Sequence, residues 1–139
     1  MTVDPESRTT TLPWGEKPTL YEEIGGERIV RQLVERFYDE IDATSPGLRA
    51  MHPKDDSGSR RNLFEFLSGW MGGPGLYIER KGHPRLRMRH FPFHIGEREA
   101  DDWIRCMHTA LDSLEIGDAA RTFLKERLAD SARHVQNRP

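Results

Sequence analysis

Three of the six histidines lie in one run, GHPRLRMRHFPFHIG at residues 82–96, together with Arg85, Arg87 and Arg89 and no acidic residue. Imidazole is a common metal ligand and changes charge near neutral pH, so the run could do chemistry. His90 and His94 stand four apart, the spacing that puts two imidazoles on one helix face in zinc sites. Pro92 lies between them and breaks any such helix. No carboxylate between 80 and 96 completes a ligand set, which weighs against a local zinc site. Arg80, Lys81, Arg85, Arg87 and Arg89 beside Phe91 and Phe93 have the mixed character of single-strand binders. Those five cations form a small patch on a chain with 21 basic and 23 acidic side chains, so neither nucleic acid nor an anionic membrane is expected as partner.

The elements that must position these residues read as helices. Thr19 with Glu22 three residues on forms a capping pattern, and Gly25-Gly26 stops the short helix that follows. Val30, Leu33, Val34, Phe37, Tyr38 and Ile41 then make one apolar stripe at helical spacing. Pro46-Gly47 and Pro53 bracket a connection ending in MHPKDD. Asp56 or Ser57 can cap a third helix with a stripe of Leu63, Phe66, Leu67 and Trp70, Phe64 and Met71 lying beside it. GGPG at 72–75 ends that helix, and the histidine run has room for about two helical turns around Leu86–Phe91. A long helix starts at Glu97 and carries Trp103, Ile104, Met107, Ala110, Leu111 and Leu114 until Gly117 stops it. Asp118 caps the last helix, whose inner face is Phe123, Leu124, Leu128, Ala132 and Val135. No strand alternation or internal repeat is visible, and the expected fold class is all-α.

Length and composition fit one domain with one core. The single cysteine, Cys106, excludes an internal disulfide and suits a reducing cytoplasm. No window approaches the roughly 20 apolar residues of a membrane-spanning helix. The first eighteen residues, rich in Thr, Pro and charge, read as a flexible extension held down at Trp14, with the folded domain at 19–139.

A small helical domain with one histidine at the end of a short, loop-flanked helix can hold a haem iron by a single axial bond. Haem needs an apolar slot between helices and cations at the rim for its propionates, which the acid-free run supplies. Opposite the histidine, Tyr38 and Trp103 sit on apolar stripes yet carry O–H and N–H groups that can point donors inward. Ordinary core residues satisfy the same pattern, so spacing alone leaves open a haem site or a cofactor-free helical domain.

The segments LYEEIGGERIVRQLVERFYDEI, MHPKDD, GWMGGPGLYIERKGHPRLRMRHFPFHIGEREADDWIRCM and HVQNRP resemble group II truncated haemoglobins from about Leu20 onward. The resemblance implies a two-over-two α-helical sandwich, a truncated globin with a loop-rich proximal region. It places the iron ligand on His90, the inward tyrosine on Tyr38, the distal tryptophan on Trp103, and the ligand-facing positions of the distal helix on Ser59 and Leu63. It further implies a heme b (iron protoporphyrin IX) pocket with Phe64, Leu67, Tyr77, Phe91 and Ile95 in its wall. Arg87 and Arg89 would meet the propionates, with Tyr77 and His83 as further contacts.

His52 occupies a variable family position from which a histidine can donate to bound oxygen, directly or through water, or approach the iron as a sixth ligand. The implied function is binding of O2, NO, CO or other small ligands at one haem iron with strong distal hydrogen bonding from Tyr38, His52 and Trp103. NO dioxygenase or peroxidase-like turnover would need a separate reductase, because the chain has no flavin or nicotinamide motif. A non-catalytic sensor, store or transporter of gas is the alternative at class level. A monomer or homodimer fits equally.

Overall fold

The computed structural model describes residues 11–138. Eight helices, α1 to α8, run along them and no sheet forms; a lone antiparallel bridge joins Leu12 to Gly15. The expected extension at 1–18 falls partly outside the described residues. Its remainder packs on the domain through Trp14, whose ring meets Phe123 edge-on at 5.4 Å and whose indole N–H donates to the Lys17 carbonyl.

α1 (Leu20–Ile24) starts as expected: the Thr19 hydroxyl accepts from the Glu22 amide, and Gly25 ends the turn in a left-handed conformation at φ 113°. Any Cβ at Gly25 would lie 2.7 Å from the Ile29 side chain, so the position demands glycine for both backbone and space. α2 (Glu27–Thr44) buries Val30, Leu33, Val34, Phe37, Tyr38 and Ile41, the whole predicted stripe, and adds Ile29. Burying such side chains supplies about 1.5–3 kcal/mol each before chain entropy is counted, so α2 is the spine of the core.

The connection at 46–53 is partly helical. Pro46 opens α3 (Pro46–Ala50), and the buried Ser45 hydroxyl accepts from the Leu48 amide while donating to Asp102. Proline at the first helical position gives up an amide that would be unpaired anyway. α4 (Ser57–Trp70) departs from expectation twice. Asp56 occupies the cap position but spends its carboxylate on Arg60; the neighbouring Asp55 takes the Ser57 amide. The buried face is Phe64, Glu65, Leu67 and Ser68, and Trp70 is exposed, because Leu63 and Phe66 turn toward a cavity.

α5 (Leu76–Lys81) is a short helix that the Gly- and Pro-rich sequence concealed, and α6 (Leu86–His90) is the expected short segment before Pro92. α7 (Glu97–Asp112) ends five residues before Gly117, which instead precedes α8 (Asp118–Val135). Asp118 is the first residue of α8 and pairs with Arg121 rather than capping. Leu124, Leu128 and Ala132 face the core as expected, and Val135 borders the cavity.

α2 packs on α4 along one flank and on α7 along the other, and α7 packs on α8. This gives two layers of paired long helices, with short α5 and α6 closing one side of the space between them. No described helix is long and apolar enough to cross a membrane.

Candidate functional site

The space between the layers is a cavity of about 510 Å³, within the usual range for small-molecule and cofactor pockets. The long helices build one wall. α2 contributes Tyr38; α4 presents Ser59, Asn62, Leu63, Phe66 and Leu67 on a single face at spacings of three and four; α7 contributes Ala100 and Trp103. The α3 region adds Leu48, Met51 and His52. The other wall comes from the acid-free run: Leu86, Arg89 and His90 of α6, then Phe93 and Ile95. Tyr77 and Lys81 of α5 close the rim between the two.

Of the residues expected in the site, the structure gathers Tyr38, His52, Ser59, Leu63, Leu67, Tyr77, Arg89, His90, Ile95 and Trp103 around this one cavity. Phe64, Arg87, Phe91 and His83 lie outside the lining. Phe64 is buried on the flank of α4 beneath the Arg31 guanidinium, 4.1 Å from its ring centre. The phase of α4 decides this: Ser59 and Leu63 face the cavity, so their partner is Phe66, seven residues beyond Ser59. Arg87 and Phe91, four apart, share the outward face of α6, and Phe91 is 59% exposed. Phe93 takes the place expected of Phe91. His83 is exposed and accepts the Arg85 amide. The rim cations are thus Lys81 and Arg89. Arg89 is braced by bonds to the Pro84 and Lys81 carbonyls, with its guanidinium 5.7 Å from the Tyr77 ring centre.

Two histidines border the cavity in the same local arrangement. His90 Nδ1 lies 2.6 Å from the Leu86 carbonyl oxygen, and His52 Nδ1 lies 2.8 Å from the Leu48 carbonyl oxygen. A carbonyl only accepts, so Nδ1 carries the proton in each ring and Nε2 keeps the lone pair. For His90 this is the tautomer that a metal-binding imidazole needs, its other ring nitrogen donating to a backbone carbonyl. His52 in the same arrangement presents an acceptor at Nε2.

Donors on the opposite wall are Tyr38 and Trp103. The Tyr38 hydroxyl donates to the Ser59 carbonyl at 3.3 Å, well beyond the usual 2.7–2.8 Å of an O–H···O bond. Burial, reinforced by the Asp56 carboxylate and opposed by Arg60, pushes the Tyr38 phenol far above its ordinary pKa, so it stays protonated. Trp103 packs on Phe37 at 5.2 Å and borders the cavity with its indole.

Among the described residues no group of three or more His, Cys, Asp or Glu side chains could chelate a bare metal ion. What the residues do fit is a flat, largely apolar group carrying its own metal. His90, with its Nε2 free, stands on one wall of a predominantly apolar slot, His52 in the same tautomer on the other, and two cations stand at the rim.

The bacterial-like globin family profile matches residues 19–137. Group 2 truncated hemoglobin YjbI of Bacillus subtilis (strain 168) is 43% identical over 117 residues, covering 84% of this chain and 87% of that protein. The crystal structure of the group II truncated hemoglobin from Bacillus anthracis superposes with a TM-score of 0.84 at 40% identity, over 88% of this chain and 94% of that one. The truncated oxygen-avid haemoglobin from Bacillus subtilis gives a TM-score of 0.80 at 42% identity over 86% of this chain and 99% of that one. Family profile, sequence and fold agree: the chain belongs to the bacterial-like globins and, within them, to the group 2 truncated haemoglobins.

Proposed function

We propose that this chain holds one heme b through His90 Nε2 and uses the opposite wall to retain a diatomic gas. The observation that carries the proposal is His90 on the wall that also carries the rim cation Arg89, its Nδ1 bonded to the Leu86 carbonyl and its Nε2 free toward a cofactor-sized cavity. When bound, the haem would supply an iron that takes O2, NO or CO. The chain's own residues do the rest. Leu63, Phe66, Leu67, Phe93 and Ile95 exclude water from the slot, and Lys81 and Arg89 offer positive charge to the propionates. Tyr38 and Trp103 bring an O–H and an N–H to the gas side, where a partly negative ligand makes charge-assisted bonds.

The long Tyr38–Ser59 bond suits this role, because a weakly held hydroxyl can turn to a better acceptor at little cost. The oxygen avidity named for the Bacillus subtilis structure supports retention as the function that this wall serves here. Chemistry on the retained gas, with nitric oxide or peroxide, is a second activity that would draw on a separate reductase.

Titration of the purified chain with ferric haem tests the proposal. A Soret band saturating at one haem per chain is expected, and His90→Ala should abolish it while the far-UV helix signal persists. A wild-type chain that takes up no haem, or an alanine variant with an unchanged spectrum, overturns it.

A further inference from the structure

The segment after α8, within the HVQNRP motif, reaches back across the molecule to the loop that follows His90. The Asn137 amide group donates to the His90 carbonyl at 3.1 Å and to the Phe93 carbonyl at 3.0 Å. Its side-chain oxygen accepts the Ile95 amide at 3.0 Å. The Asn137 backbone amide donates to the Ile95 carbonyl at 2.8 Å, and the Arg138 amide donates to the same oxygen at 3.0 Å. His90, Phe93 and Ile95 are the residues of this loop that line the cavity. One asparagine thus holds the backbone of all three.

The loop needs such an anchor. α6 is only five residues long, with its last carbonyls unpaired within the helix. Its first residue is preceded by Arg85 in a left-handed conformation at φ 45°, which a non-glycine residue adopts only under constraint. Pro92 lacks the amide that could continue the turn. A one-turn helix is not stable by itself, so contacts from elsewhere must fix where His90 sits. Asn137 makes those contacts with both faces of its amide: two donated bonds and one accepted bond use its full planar geometry, which neither aspartate nor alanine reproduces.

Resting on the haem-binding proposal above, we propose that Asn137 is a positioning residue for His90, clasping the proximal wall so that the histidine is preset for the iron and haem is retained. The experiment compares wild type, Asn137→Ala, Asn137→Asp and the neighbouring control Gln136→Ala. Haem release is followed by transfer to an excess of an apo-globin acceptor, and the ferrous iron–histidine stretching frequency is read by resonance Raman. Amide exchange at Ile95 is read in the haem-free protein.

Loss of the two donated side-chain bonds, common to both Asn137 variants, should speed haem transfer by about 10- to 100-fold. It should also shift the stretching frequency and deprotect the Ile95 amide in the alanine variant, with Gln136→Ala unchanged. Aspartate, able to accept but not to donate, should release haem as fast as alanine. Transfer within twofold of wild type, or faster transfer with an unmoved stretching frequency, overturns the clasp while leaving haem binding intact. A wild-type chain without a Soret band overturns the haem-binding proposal itself, and the clasp with it.

Discussion

The rings of Tyr38 and His52 meet edge to face, their centroids 5.4 Å apart and their planes at 90°. The contact joins the spine of the core to the one cavity-lining histidine on the gas side, and it ties two groups of opposite hydrogen-bonding sense. Tyr38 is a donor at any ordinary pH, whereas His52, with its Nδ1 proton committed to Leu48, offers an acceptor at Nε2.

Tyr38→Phe should therefore be the most damaging single change for gas retention that leaves the haem in place. A charge-assisted donor is worth about 1.5–3 kcal/mol, so the oxygen dissociation rate should rise roughly ten- to hundred-fold. Stopped-flow displacement of oxygen by carbon monoxide measures it. An unchanged rate would assign retention to Trp103 instead.

His52 should act in the opposite direction to a permanent donor. An acceptor lone pair facing a partly negative ligand weakens its hold, so His52→Leu should slow oxygen release. Stopped-flow dissociation rates of the two proteins under one set of conditions settle the matter, and equal rates would show that His52 has no part in it.

Arg60 is the hub of the α2–α4 contact. Its guanidinium reaches Glu35 at 2.7 Å, Asp56 at 3.0 Å, Asp39 at 3.3 Å and Asp42 at 3.7 Å, and lies 5.3 Å from the Tyr38 ring centre. Three of the carboxylates are well exposed and contribute little, while the Asp56 pair is mostly shielded. Arg60→Met should cost about 1–2 kcal/mol, read as a lower urea midpoint with an unchanged slope. A loss below about 0.5 kcal/mol would show the whole cluster to be solvent-screened.

Acid should weaken the α4–α5 contact through Glu65. Burial by itself would raise this carboxyl, but hydrogen bonds from Arg80 at 2.6 Å and Arg61 at 3.2 Å outweigh it and hold the pKa below the ordinary glutamate value. A carboxylate depressed on folding adds stability that is complete above its unfolded pKa and is lost as pH falls through the folded one. Glu65→Gln should accordingly lower stability near neutrality and flatten the acid limb of a stability–pH curve. Curves that stay parallel down to pH 3 or so would contradict the assignment.

How much of this was legible in the sequence depended on helix length. α2 runs for eighteen residues, so its stripe from Val30 to Ile41 repeats often enough to fix which side is buried. His90, Tyr38 and Trp103 were named in advance by the family resemblance, and the structure brings them to one cavity. α6 makes little more than one turn, and its phase cannot be averaged: of Arg87, Arg89 and Phe91, all expected at the pocket, Arg89 lines the cavity, together with Phe93. Phe64 lies off the cavity for a related reason, since α4 buries one face against α2 and leaves another to the cavity, and apolar residues mark both. The spacing from Ser59 to Leu63 held the clue, pointing on to Phe66. The Asn137 contacts span 42 to 47 positions and left no local trace.

With Tyr38 and Trp103 on long helices and His90 on a one-turn helix, the two walls of the cavity should respond independently to substitution. Tyr38 and Asn137 share no hydrogen-bonding partner, and their free-energy effects should add in the double variant. Gas affinity and haem affinity can then drift separately under selection, one wall being retuned while the other stays as it is.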